Sequence, residues 1–233
     1  MKNIKKYICV LVGLLTLLTS CESWFDVDPR TEIKEKDLFK NENGFFDALI
    51  GVYSIMARPA LYGDELTMGT PEAIVQNYYI GYNSAHPLYY LTTFDYTHTR
   101  VRPTISAFWT NLYEAVVNVN NLLENLEKAD KKMFSDNNYE LIKGEALALR
   151  AYLHFDVLRL FGPSFKMDKT RKCIPYVTTV SKKNTPYSSP EEVVTLCIKD
   201  LEEAASLLVD DPIVKKDVSE DNIYRMNRTT RMN

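Results

Sequence analysis

Histidine and cysteine are scarce in this chain, with three and four residues among 233. That scarcity argues against a metal-rich centre and against a disulfide-stapled scaffold. An excess of basic charge is also missing. Lysine and arginine number 28 against 31 aspartate and glutamate, a formal net charge of −3. A nucleic-acid binder needs a basic face to displace counterions from phosphates, so no nucleic-acid partner is expected. The Walker loop, the G-x-S-x-G elbow, H-E-x-x-H and G-x-G-x-x-G are all absent. His86, His98 and His154 show no metal-ligand spacing, and no metal or cofactor is expected. Glu191-Glu192 and Glu202-Glu203 fall on helix ends or solvated faces. A glycoside hydrolase would need two carboxylates held across a cleft, and no such pair can be placed, so an enzyme is not expected. With 45% hydrophobic residues, however, there is ample material for a packed core. The length suits one domain or two small ones.

The N-terminal apolar run, residues 8–18, falls short of the roughly 20 residues that a bilayer span requires. Lys2, Lys5 and Lys6 precede it, which is the layout of a secretory signal. It ends in Leu18-Thr19-Ser20-Cys21, which resembles the lipobox of bacterial lipoproteins. Small residues at 19 and 20 admit a peptidase, and the Cys21 thiol takes a diacylglyceryl group as a thioether. Residues 1–20 are then the signal peptide and residues 21–40 a lipidated, polar tether. Several acyl chains hold firmly, since each buried CH₂ contributes about 0.8 kcal/mol. The competing reading is an ordinary secretory signal with an accidental cysteine. Residues 1–20 hold three lysines and no acid, so the remainder carries 25 basic and 31 acidic side chains. An acidic body does not adhere to anionic lipid, which leaves the lipid as the only membrane anchor. Cys173 and Cys197 allow one disulfide in an oxidising compartment, although Cys197 fits a buried free thiol equally well.

Helical spacing dominates the rest. In residues 41–57, Phe45, Ala48, Leu49, Val52, Ile55 and Met56 share a face, and Pro59 ends the segment. In residues 103–129, Ile105, Phe108, Trp109, Leu112, Val116, Val119, Leu123 and Leu126 form a long stripe, with Pro103 at the first helical position. Residues 136–161 form a third helix that stops at Gly162-Pro163. Its second half is apolar on nearly every side and should lie centrally, and it should pair with the preceding helix as an antiparallel hairpin. There His154 reads as a satisfied core histidine. Arg150, Asp156 and Arg159 read as buried hydrogen-bonding or ion-pair partners that fix neighbouring loops. The fourth helix opens with Ser189, Pro190 and Glu192, a capping box. Val193, Val194, Cys197, Leu201, Ala204, Ala205 and Leu208 make its expected buried face, and Asp211-Pro212 closes it. Residues 174–180 fit a short strand or an extended loop. The fold class is mainly α, with tetratricopeptide-like helical hairpins.

Between Pro59 and Arg102 the periodicity disappears. Seven of the 15 tyrosines fall in this stretch (Tyr62, Tyr78, Tyr79, Tyr82, Tyr89, Tyr90 and Tyr96), and this aromatic content argues for an ordered surface loop over a disordered one. Asn77, Asn83, His86 and Asp95 lie among them. Aromatic faces beside amides and carboxylates suit sugar rings, whose C–H faces stack while their hydroxyls hydrogen-bond. Peptide recognition uses similar residues. The plainer alternative is that these tyrosines only pack the loop onto the helices beneath.

Four stretches together resemble the SusD/RagB family of Bacteroidetes outer-membrane lipoproteins. They are Cys21-Glu-Ser-Trp-Phe-Asp-Val-Asp-Pro-Arg30; residues 39–56 with Gly51-Val-Tyr53; Gly144-Glu-Ala-Leu-Ala-Leu-Arg150 through Arg159-Leu-Phe-Gly162; and the capped helix at 189–208. The resemblance implies a helical scaffold at the cell surface, lipid-anchored in the outer membrane and not catalytic. It further implies a TonB-dependent, SusC-like transporter as partner, to which oligosaccharide, or sometimes peptide, is delivered. In glycan-binding relatives the loop before the helix matching 103–129 supplies part of the stacking surface. That points to Tyr82 and Asn83 first, then Tyr78 and Tyr79, as ligand-binding residues. The runner-up is a peptide-binding or purely protein-interaction scaffold of the same transporter complex. Relatives continue past Asn233 into a second half, so residues 41–233 resemble their N-terminal domain alone. Each helical repeat normally buries its face against the next. Residues 22–233 alone are therefore expected to aggregate or to bind glycan poorly. Light scattering and a glycan titration check this, and a monomeric, cooperatively melting sample with micromolar glycan affinity would contradict it.

Overall fold

Asn41 opens the first long helix because its side-chain oxygen accepts from the Gly44 amide at 3.2 Å, satisfying a donor that the helix itself cannot. The computed structural model describes residues 35–82, 84–86 and 88–209. The signal segment, Cys21, Asn83 and Asp211-Pro212 lie outside the described residues. The chain divides into units 1–38 and 39–233. In the first, the described element is one helical turn, α1 (Glu35–Leu38).

The second unit is helical, and its elements follow the hydrophobic spacing. They are α2 (Glu42–Met56), α3 (Thr70–Ile74), α4 (Tyr89–Thr92), α5 (Arg102–Lys128), α6 (Asn138–Phe161) and α7 (Pro190–Leu207). A two-residue ladder, β1 (Ile174–Pro175) with β2 (Tyr187–Ser188), is antiparallel. The described part of the 59–102 stretch is not purely loop. A π-helical turn at Glu65–Gly69, α3 and α4 interrupt it.

α6 is the central element and packs on α7, α5, α2 and β1. This explains why it is apolar nearly all round: Leu153 and Val157 are fully buried, and buried residues occur on every face. α7 runs antiparallel to it, with Ala204 and Leu208 against Gly144, Asp200 against Arg150, and Cys197 against Ala151. A Cβ at Gly144 would lie 2.8 Å from Leu208 Cγ, so glycine is what permits this close approach. The capping box of α7 is present in full: Ser189 Oγ accepts from Glu192 N, and Glu192 Oε2 accepts from Ser189 N.

The inward face of α7 differs from the expected one. Val193, Cys197, Asp200 and Ala204 are buried, whereas Leu201 (47% exposed) and Ala205 face solvent. The cause is electrostatic. Asp200 turns inward to meet Arg150, and that rotation carries Leu201 and Ala205 outward. Ile198 is exposed as well, and so are Tyr152 and Phe155 of α6. At 100° per residue all of these fall on the side of the α6–α7 seam opposite the Arg150–Asp200 pair.

That pair anchors a buried network. Arg150 Nε and Nη2 each donate to Asp200 at 2.7 Å, and Nη1 donates to Asn120 Oδ1 at 3.3 Å. Tyr176 OH donates to Asp200 Oδ2 at 2.6 Å, and Asn120 Nδ2 donates to the Val177 carbonyl at 2.9 Å. His154 Nε2 accepts from Val177 N at 2.9 Å, while its Nδ1 lies 2.8 Å from the Arg150 carbonyl. One side therefore accepts and the other must donate, which fixes a neutral imidazole protonated at Nδ1. This is the satisfied core histidine expected from the sequence. Burial works against the Arg150 charge, but the carboxylate bonds outweigh it and raise its pKa. Burial also raises the phenol of Tyr176, reinforced by Asp200. Cys173 and Cys197 are free thiols, and burial pushes Cys197 up to about 11. Arg159 departs from the buried role expected for it, since its side chain is 61% exposed and pairs with Asp156 only at 3.5 Å.

Replacing Arg150 by Met strands the Asp200 carboxylate in the core and is expected to cost about 3–5 kcal/mol in urea unfolding. His154 supplies a pH-dependent test. Burial lowers its pKa from 6.5 to about 4, so as pH falls the unfolded chain takes up the proton first. Its contribution is intact above pH 6.5 and is lost progressively towards pH 4, by about 3 kcal/mol in all. H154Q, which keeps an acceptor for Val177 N, should flatten the stability slope across that window.

Candidate functional site

The tyrosine-rich insertion owes its order to a small core of its own. Ala73, Leu91 and Val101 are buried together, with Ile74, Ile80, Leu88, Tyr90 and Ile105 packed around them. Ile105 belongs to the first turn of α5 and also packs on the main core, so the insertion stands on the start of that helix. At its near end the Tyr62 hydroxyl donates to Asp156 Oδ2 at 2.7 Å, and its ring packs on Tyr152. Burial, and then the Asp156 charge, drives that phenol's pKa far up. Tyr62 is thus a packing residue, and Asp156 does fix a neighbouring loop.

Polar clasps also hold the described residues between 76 and 93. Gln76 Nε2 donates to the Thr92 carbonyl at 3.2 Å, and Arg100 Nη1 donates to the carbonyls of Ser84 at 3.0 Å and Ala85 at 3.3 Å. The Tyr90 ring stacks on His98, with centroids 3.4 Å apart and planes 7° from parallel. The backbone is left-handed at Gln76 (φ 60°) and at Gly81 (φ 65°). Glycine adopts this left-handed geometry without steric cost, and Gly81 sets the bend between Tyr79 and Tyr82.

The result is an open depression of about 530 Å³ whose lining includes Gln76, Asn77, Tyr78, Tyr79, Tyr82 and Tyr89. Tyr79 is 97% exposed and Tyr82 98%, which is unusual for large amphipathic rings on an ordered segment. Tyr78 is more enclosed, and its hydroxyl donates to the Met68 carbonyl. Of the four ligand-binding residues expected from sequence, Tyr78, Tyr79 and Tyr82 therefore line one depression, while Asn83 lies outside the described residues. Sequence reasoning passed over Gln76, Thr92 and Thr93 in this lining. No local pattern marks them, because only the fold-back of the segment brings residues some sixteen positions apart together. The arrangement offers aromatic faces ringed by amide and hydroxyl groups, which can stack on a ring and hydrogen-bond its substituents. Among the described residues no group of three or more His, Cys, Asp or Glu could hold a metal ion. No described helix is long and apolar enough to cross a membrane.

Helical hairpins around a central helix, with an aromatic insertion, define the class: a helical-repeat scaffold bearing exposed tyrosines. The chain belongs to the SusD-like family described as "Starch-binding associating with outer membrane", whose model matches residues 24–225. Two SusD-like proteins of Formosa agariphila are similar to it. One is 26% identical over 160 residues, covering 66% of this chain and 30% of the relative. The other is 27% identical over 208 residues, covering 87% and 37%. Among solved structures, a SusD-like carbohydrate binding protein from Bacteroides vulgatus shares the fold. Its TM-score is 0.58 at 22% identity, over 73% of this chain and 36% of that one. The chain thus spans about a third of the length of the relatives it matches.

Proposed function

We propose that this chain is the ligand-gathering part of a cell-surface lipoprotein that binds oligosaccharide and passes it to a TonB-dependent, SusC-like outer-membrane transporter. The observation that carries the reading is the pair of almost fully exposed rings, Tyr79 and Tyr82, on an anchored segment beside an amide-lined depression. Exposing two such rings forgoes roughly 1.5–3 kcal/mol of burial each, a cost that a stacking ligand would offset. Membership of a family described as starch-binding and associated with the outer membrane supports it, as does the likeness to a carbohydrate-binding structure. In this reading Tyr79 and Tyr82 stack on pyranose rings, Tyr78 shapes the floor, and Asn83 contributes an amide. Lipid on Cys21 holds the protein to the outer membrane on the exterior of the cell, and the protein performs no catalysis.

A second reading, a protein-interaction scaffold, draws on the apolar strip of Tyr152, Phe155, Ile198 and Leu201. The two separate on one experiment. Tyr79→Ala with Tyr82→Ala should weaken retardation in glycan-containing gels at least about tenfold while leaving Tm within a degree or so, since neither ring is buried. Retardation of the variant equal to that of a parent protein that binds glycan would count against the two rings and favour the interaction reading.

A further inference from the structure

We propose that a second site, separate from the tyrosine depression, takes a small aryl or branched-alkyl carboxylate. A cavity of about 470 Å³ opens where α3 meets the start of α5 and the end of α6. Its walls include Ile74, Ile105, Phe108 and Phe161, with Phe108 fully buried at 1% exposure. Tyr96 and Arg159 add the polar edge. The size suits a compact organic molecule, and apolar walls with few convergent polar groups are what such ligands require. Beyond Tyr96 and Arg159 these largely apolar walls offer sugar hydroxyls few partners, so the ligand class differs from that of the tyrosine depression.

Among the described lining residues Arg159 is the one charged side chain. Among the described residues its one ion pair is the long contact to Asp156 at 3.5 Å, and the other oxygen of Asp156 accepts from Tyr62 at 2.7 Å. A guanidinium has five N–H donors in a planar fork that matches a carboxylate, so most of its donor capacity remains for a ligand. An apolar group seated between Ile74 and Phe161 with its carboxylate at Arg159 satisfies both the walls and the charge.

The probe is 3-phenylpropionate against its neutral amide, titrated onto the full chain by saturation-transfer NMR. Saturable binding of the acid, with the amide about tenfold weaker, is the expected result. R159Q should erase that difference. Val75→Asp adds a like charge on an exposed lining residue and should weaken the acid about tenfold without moving Tm. No saturable binding, equal binding of acid and amide, or indifference to both substitutions would overturn the site. Tyr79→Ala with Tyr82→Ala should leave the acid affinity unchanged, and loss of the acid in that variant would show that the two sites are one, overturning their separateness. Glycan retardation of R159Q is read in parallel, so failure here is distinguishable from failure of the glycan reading.

Discussion

The Arg150–Asp200 pair is the constraint on which the rest of the unit depends. Two 2.7 Å bonds between a guanidinium and a carboxylate, both nearly out of solvent, tolerate little displacement. Taking such ions out of water costs several kcal/mol each, and the cost is offset only when every remaining donor and acceptor is used. Tyr176 and Asn120 add side-chain bonds to the pair, and His154 ties the adjoining Val177 backbone to α6. They link α5, α6, α7 and the extended stretch at 174–177 into one hydrogen-bonded assembly. Apolar packing alone would let α7 roll on α6, since Leu201 and Ala205 could serve as well as Ala204. The ion pair selects one rotation.

That network lies in the helical base, apart from the insertion that carries the exposed tyrosines. The insertion has a small core of three buried apolar residues and polar clasps to its own backbone carbonyls. Leu61, Tyr62 and Leu66 seat its near end on the main core, while Tyr79 and Tyr82 on its outer face are free of packing. Tyr62 and Asp156 join the two regions by a single side-chain bond across the surface of α6. The same carboxylate lies beside Arg159, so one acid braces the insertion and only partly occupies the nearby cation.

Much of this was legible in the residue order. The stripes of α2 and α5, the capping box at Ser189, the helix stop at Gly162 and the satisfied His154 all follow from short-range rules, and each stands in the structure. The two short helices in the insertion were not legible. At five and four residues they are too short to show a period, and they persist only because Ala73 and Leu91 pack on Val101. The orientation of α7 was misread for a related reason. An apolar count favours Leu201 as an inward residue, and a buried aspartate is expected only once its arginine partner is known to face it.

The sequence by itself determined the long helices and their order, because helix periodicity and capping depend on residues three or four positions apart. It also carried the family resemblance, which lies in the same local stretches. Tertiary structure alone decided which tyrosines are exposed and which are packing residues. Tyr62 and Tyr79 are indistinguishable by composition, yet one meets Asp156, 94 positions away, and the other meets solvent. It alone also placed Ile74, Phe108 and Arg159 around one cavity. Burial and cavity shape arise from contacts between distant segments, which no local spacing encodes.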